Sequence, residues 1–372
     1  MKTYKIMYLA LVCLIVGCSK SENGSETLKE TGSKADYTLL VNSIGLLKAQ
    51  PLNATSETLT INPGESPFEE MVMPRPTFKQ GTVLTMYQET TACGGEIIKY
   101  DFNGHSSNKF EVFSDLGSCD LTAKAVLHSD TGYFIAYSVD EGSTTDHFVR
   151  VLDASGTLVT DVSLSKDPVE LAVTNNRLFI LNFDEEVTGE HGLTVMDLAS
   201  NGLINEMNLG FDVRKIFVNK DAKLVISYDT LHTIMDPVTF GETYINYQSG
   251  LEPKFADSST EQFDANGKLY YERPPTGESE HANVPAIYDF ASNTAFLYIY
   301  ENFLTEDQID FEFEIDDTTM VGFDEKNGYM LIGYRKAGST TKGGLLRVKP
   351  VPEPAFIDNV NVDGIPYDIY VK

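Results

Sequence analysis

Residues 168–210 read PVELAVTNNRLFILNF, then DEEVTGEH, then GLTVMDLASNGLINEMNLG. The stretch parses into four short strands, Pro168–Thr174, Arg177–Phe183, Gly192–Leu198 and Leu203–Leu209. The tight connections, Asn175-Asn176 and Ala199-Ser200-Asn201-Gly202, carry the residue types that tolerate the positive φ of hairpin turns. One such four-stranded antiparallel unit cannot bury both of its faces, so it requires neighbours of the same kind.

The rest of the chain supplies them. The second strand, RLFILNF from Arg177, is echoed by DYTLLVN from Asp36, GTVLTMY from Gly81 and GYFIAYS from Gly132. KLVISYD from Lys223, KLYYERP from Lys268 and GYMLIGY from Gly328 continue the series. Successive starts lie 45, 51, 45, 46, 45 and 60 residues apart. A period near 45 with four strands per unit is a propeller signature. Third strands repeat too, ending at Asp101, Asp153, Asp197, Asp236 and Asp289. An aspartate there accepts backbone amides two residues on and opens a turn, so these carboxylates read as architecture. The C-terminal IPYDIYVK matches a first strand with nothing after it, and the N-terminal unit lacks a first strand. One blade is therefore expected from both ends of the chain, which closes the ring and leaves no free sheet edge. The expectation is an all-β, seven-bladed propeller over 35–372, with an insertion between Glu301 and Asp317.

These units, an aliphatic-aromatic second strand running into a third strand that ends in Asp, resemble the YVTN-type propeller family. The chain contains no Trp, which sets it apart from WD repeats and quinoprotein repeats.

The first residues, MKTYKIMYLALVCLIVGC, define the compartment. Lys2 and Lys5 precede an apolar core from Ile6 to Val16, a layout too short for a membrane span and suited to a secretory signal. The ending Ile15-Val16-Gly17-Cys18 resembles a bacterial lipobox, in which Cys18 is acylated and becomes the first mature residue. That resemblance implies a signal peptide over 1–17 and, by the family's sorting rules, Ser19 directs the protein to the outer membrane or cell surface. Residues 18–34 then form the lipidated cysteine and a polar tether. With the propeller, the layout is similar to lipoproteins of Bacteroidota-type envelopes, some of which capture iron–siderophore complexes for an outer-membrane transporter.

Removing Lys2 and Lys5 takes the formal charge from −27 to −29. So acidic a surface repels nucleic acid and anionic headgroups, which excludes nucleic-acid partners and leaves the acyl chain as the membrane attachment of an expected monomer. Of four cysteines, Cys93 and Cys119 remain for pairing. Cys93 precedes a third strand and Cys119 follows a fourth. The two strands are antiparallel neighbours, so the sulfurs are expected to meet in a disulfide worth roughly 3–4 kcal/mol.

In a four-stranded blade the second-to-third connection and the link to the next blade reach the same side of the disk. Three histidines follow acids there: Asp146-His147, Glu190-His191 and Glu280-His281. Imidazole and carboxylate together suit a transition metal or ferric chelate. The other reading is that these are solvated loop residues, spread over a rim too wide for coordination near 2 Å. Arg75, Arg273, Arg335, Lys336 and Lys342 are cations in loops around the same funnel, and a guanidinium fork grips carboxylates or catecholates. Tyr270, Tyr271 and Phe68 offer stacking area, although strand alternation sends one of the two tyrosines into the core. No GxSxG, P-loop, GxGxxG or HExxH pattern occurs, and no cofactor motif. The expectation is a lipid-anchored envelope protein that binds a small ligand or a protein, an iron chelate or other nutrient among them. A glycan hydrolase or lyase, or a scaffold docking another envelope protein, are the alternatives.

Overall fold

The computed structural model describes residues 35–372 apart from Glu57, Glu65, Ala92, Cys93, Ser118 and Cys119. The leader, Cys18, the tether and the Cys93–Cys119 pairing lie outside the described residues. Seven antiparallel sheets follow one another around a ring. Six are consecutive stretches of chain, 77–112, 121–164, 167–210, 213–246, 262–297 and 315–362, here blades 2 to 7. Blade 1 takes its first strand, Ile365–Val371, from the C-terminus and the other three, Ala35–Ser43, Leu46–Ala54 and Leu59–Ile61, from the N-terminal side. Tyr37 lies opposite Val371 and Asn42 opposite Ile365, so the two ends of the domain are zipped by one ladder. The chain is a seven-bladed β-propeller closed in this way.

Blade 4 shows why the sequence folds so. Its strands are Asp167–Thr174, Arg177–Phe183, His191–Asp197 and Gly202–Gly210. Asn175 and Asn176 turn the first hairpin with φ of 50° and 58°, both left-handed, as a two-residue turn of this type demands. The third strand starts at His191, one residue before the sequence pattern, because His191 pairs with Phe183 on one side and Gly210 on the other. Leu178 to Leu181 are all buried. A blade is covered on both faces by its neighbours, so its inner strands are apolar without alternation. The same reason buries both Tyr270 and Tyr271, against the expectation that one would face out.

The terminal aspartates are turn residues. Asp101 accepts the Asn103 amide at 2.9 Å. Asp153 accepts Ser155 and Thr157 at 2.8 and 2.9 Å, and Asp236 accepts Val238 and Thr239 at 2.9 and 2.8 Å. A second repeat is invisible as a motif: Arg150 on a third strand forks onto Asp161 of the fourth, and Arg347 onto Asp358, in blades 3 and 7. Both arginines are buried, and both are fully engaged, Arg150 also by Asp115 and Arg347 by the Thr55 carbonyl. The expected insertion spans 298–314, with short helical turns at Tyr300–Asn302 and Gln308–Glu312, and ends where blade 7 begins at Ile315.

Candidate functional site

The disk has two unlike sides. On one, the turn face, emerge the connections between first and second and between third and fourth strands. Its tight turns 102–105, 154–157, 175–176, 198–201 and 290–293 contain no Asp, Glu, Lys or Arg beyond the aspartates that open them, and turns 129–131, 219–223 and 325–328 mix Asp130, Asp221 and Glu325 with Lys220, Lys223 and Lys326. The other, the loop face, carries the second-to-third connections and the links between blades. Connection 184–190 holds Asp184, Glu185, Glu186 and Glu190. Link 298–314 holds Glu301, Glu306, Asp307, Asp310, Glu312 and Glu314 and no Lys or Arg.

The residues singled out from sequence sit on or just under this loop face, at strand ends more than in loops. Asp146 and His147 fall within the third strand of blade 3, Thr145–Asp153, the carboxylate exposed and the imidazole half-buried. His191 lies against the Phe183 ring, 4.9 Å between centroids, and burial lowers its pKa. Glu190 accepts the Asn208 amide at 2.8 Å. His281 is buried, its Nδ1 3.0 Å from the Asp316 carbonyl, and Glu280 beside it is exposed. The three histidines thus belong to blades 3, 4 and 6 and stand in separate surroundings, and His191 Nδ1 is buried without a hydrogen-bond partner among the described residues. Among the described residues no group of three or more His, Cys, Asp or Glu side chains could hold a metal ion. The remaining histidines are His128 and His232, buried with pKa pushed down to about 4 by burial, and His105, whose Nε2 is 2.6 Å from Lys372 Nζ.

The cations are mostly spent. Arg273 ends the second strand of blade 6 and is buried, donating to the Pro274 and Glu252 carbonyls and to Thr276. Arg335, on the second strand of blade 7, pairs with Asp316 at 2.6 Å, and Lys336 with Glu314 at 3.3 Å. Arg75 and Lys342 are exposed. Phe68 is buried against Tyr100 and Phe102 and offers no stacking platform.

Between the faces runs an axial cavity of about 710 Å³, lined by the first strands of blades 1, 2, 4, 5 and 6. Its charges staple neighbouring blades. Lys79 of blade 2 reaches Asp368 of blade 1 at 2.5 Å, and Lys215 of blade 5 reaches Glu261 of blade 6 at 2.6 Å. Glu170 of blade 4 accepts the Ile216 amide of blade 5 at 2.7 Å, and Gln262 of blade 6 exchanges two hydrogen bonds with the Phe323 backbone of blade 7. Each occupies the free backbone edge or charge that an innermost strand presents to the channel. Burial pushes the Glu170 carboxyl up to about 7, against the pull of Lys215. Burial opposes the Lys215 ammonium, but Glu261 and Glu170 outweigh it and raise its pKa. Sequence reasoning missed these residues. Their signal was a charged residue in the interior of a short first strand: Lys79 in TFKQ, Lys124 in LTAKAVLH, Glu170 in DPVELAVT, Lys215 in VRKIFV and Asp368 in IPYDIYV, with Asp167 and Arg214 adding a second charge to two of them.

One cluster resembles hydrolytic machinery. Ser138 Oγ donates to Asp167 at 2.9 Å and lies 2.9 Å from His147 Nδ1, which is itself 3.4 Å from the same carboxylate oxygen; Lys124 pairs with Asp167 at 2.9 Å. A nucleophile–base relay needs serine and acid on opposite ring nitrogens. Here both face Nδ1, and the serine proton is committed to Asp167. The arrangement is another staple between blades 3 and 4.

No protein-family model and no curated protein matches the chain. Among solved structures it is similar to a puromycin hydrolase (TM-score 0.54, 9% identity), covering 90% of this chain and 53% of that one, so the chain spans about half the hydrolase's length. A TolB from Acinetobacter baumannii is 14% identical, with a TM-score of 0.42 and 90% and 82% of the two chains covered. A hypothetical selenium-binding protein from Sulfolobus tokodaii is 11% identical, with a TM-score of 0.47 and 91% and 93% covered. Likeness at this level of identity concerns the fold alone.

Proposed function

We propose that this chain is a lipid-anchored, non-catalytic binding protein of the cell envelope, attached through Cys18 at the outer membrane or cell surface and presenting its loop face to a protein partner. The observation that carries this is directional. Ala35, where the propeller begins, opens the second strand of blade 1 beside Lys372, on the turn face. A segment preceding Ala35 joins the disk at this face, the acidic loop face lies at the opposite ends of the strands, and an anionic membrane would repel that loop face. Substituting Cys18 by serine and following labelled fatty acid and membrane fractionation tests the anchor. Single cysteines placed at Glu186 and Ser155 in intact cells test the direction. Loss of both lipid label and membrane association in C18S, with faster maleimide labelling at 186 than at 155, is the expected result. Unchanged fractionation, or the reverse labelling order, overturns it.

The axial cavity favours a second reading, since its volume suits a small ligand. In that reading the propeller captures an iron chelate or other nutrient beside an outer-membrane transporter. Calorimetric titration with ferric siderophores and haem tests it, and heatless injections across the panel would remove it.

A further inference from the structure

Three consecutive links between blades each expose one bulky apolar side chain on the loop face. Phe211 joins blades 4 and 5, Leu251 joins 5 and 6, and Phe311 joins 6 and 7; they are 61%, 61% and 77% exposed. Val187, 82% exposed, stands on the second-to-third connection of blade 4, on the same face. Each of the three is followed directly by an acid: Phe211-Asp212, Leu251-Glu252 and Phe311-Glu312. Exposed aromatic and leucine side chains at loop tips contribute nothing to the propeller core, and a row of them over adjacent blades is the composition of an interface.

We propose that this arc over blades 4 to 7 is a docking surface for a basic protein segment, one that alternates apolar residues with Lys or Arg. The inference rests on the binding reading above and names the partner's chemistry. Apolar tips give the partner contact area, while the acids beside them set its charge and speed its approach. Other occupants fit less well. A second copy of this chain would bring a formal charge of −27 against like charge. An anionic lipid surface is repelled in the same way, and the chain enters the disk from the opposite face. Nucleic acid is excluded by sign. Phe211 and Leu251 also lie beside groups that hold the links in shape: Gly210 donates to Asn208, and Gly250 donates to Glu252. The tips are thus presented on closed turns.

The test is site-specific photocrosslinking of the full-length, anchored protein in its own cells, with the crosslinker placed in turn at Phe211, Leu251 and Phe311. Leu158 and Val238, exposed on the turn face, are the comparison positions. Expected are adducts with one protein at all three arc positions and none at 158 or 238, the crosslinked peptide carrying Lys or Arg next to apolar residues. In parallel, fluorescence anisotropy measures binding of a synthetic twenty-residue peptide of leucine and lysine. F211S/L251S/F311S should weaken that binding at least tenfold while leaving the melting temperature unchanged. Adducts with a second copy or with lipid, a neutral or acidic contact peptide, or equal peptide affinity of the triple variant each overturn the proposal. Adducts confined to the turn face overturn the arc and spare the binding reading, whereas no adducts at any position overturn both.

Discussion

The two faces of the disk are made by the same fold from opposite residue choices. On the turn face, asparagines and aspartates close tight hairpins, and their side chains bond their own backbone, as Asp153 does with Ser155 and Thr157. On the loop face connections such as 184–190 and 298–314 are longer and strongly acidic, and Ile44, Val72, Val187, Phe211, Leu251 and Phe311 stand exposed there. The difference teaches where to look for each kind of consequence. Changes on the turn face and in the channel between the faces should cost stability, and changes on the loop-face tips should cost binding alone.

The two largest effects, of similar size, are expected in the channel and at a turn-face hairpin. Lys215→Met leaves Glu261 and Glu170 without their cation, a loss of roughly 3 kcal/mol by analogy with broken buried pairs. Urea unfolding measures it, and a midpoint within error of the parent would show that the staples are dispensable. Next, Asn175→Val with Asn176→Val forces two β-branched residues into left-handed backbone, costing about 2–4 kcal/mol. The Gly-Gly version should be tolerated. If both versions melt alike, the turn face is not strained by side-chain choice.

A pH series sharpens the channel further. The folded state holds a proton on Glu170 up to about 7, whereas a solvent-exposed glutamate carboxyl releases it near 4.5. Folded protein therefore binds more protons between these values, so this group's contribution is fully present below 4.5 and is lost as pH rises through 7. Glu170→Gln keeps an acceptor for the Ile216 amide and removes the charge. It should stabilise the protein at pH 8 by on the order of 2–3 kcal/mol, with the gain gone at pH 4.5. A gain independent of pH would mean that the carboxyl is not the titrating group. The smallest effect belongs to the tips: Phe211→Ser, Leu251→Ser and Phe311→Ser should each shift stability by less than about 0.5 kcal/mol. A larger loss in calorimetry would place these side chains in the core and erase the contrast between the faces.

Much of the architecture was legible in the chain because propeller blades repeat their own local rules. The second-strand echoes, the terminal aspartates and the unpaired strand at each end are local or periodic features, and the ring follows from them. The candidate site was less legible. Arg273 looked like a free cation and is buried on carbonyls, because its partners Glu252 and Thr276 come from connections whose path the pattern does not specify. His147, His191 and His281 occupy comparable positions in sequence, yet each is drawn into a separate environment: His147 to Ser138 and to Asp167 of the next blade, His191 to Phe183, and His281 to the Asp316 carbonyl of the next blade.

By itself, then, the sequence determined the blade count, the closure of the ring and the acidity of the surface, since periodicity and composition need no long-range geometry. Only the tertiary structure decided which charges meet across blades and which apolar residues stay outside. Lys79 finds Asp368 nearly three hundred residues away, and Phe211, Leu251 and Phe311 come to share one face only because their three links follow one another around the ring. Contacts between innermost strands and between loops depend on how the sheets are set around the axis, and no spacing along a single strand encodes that.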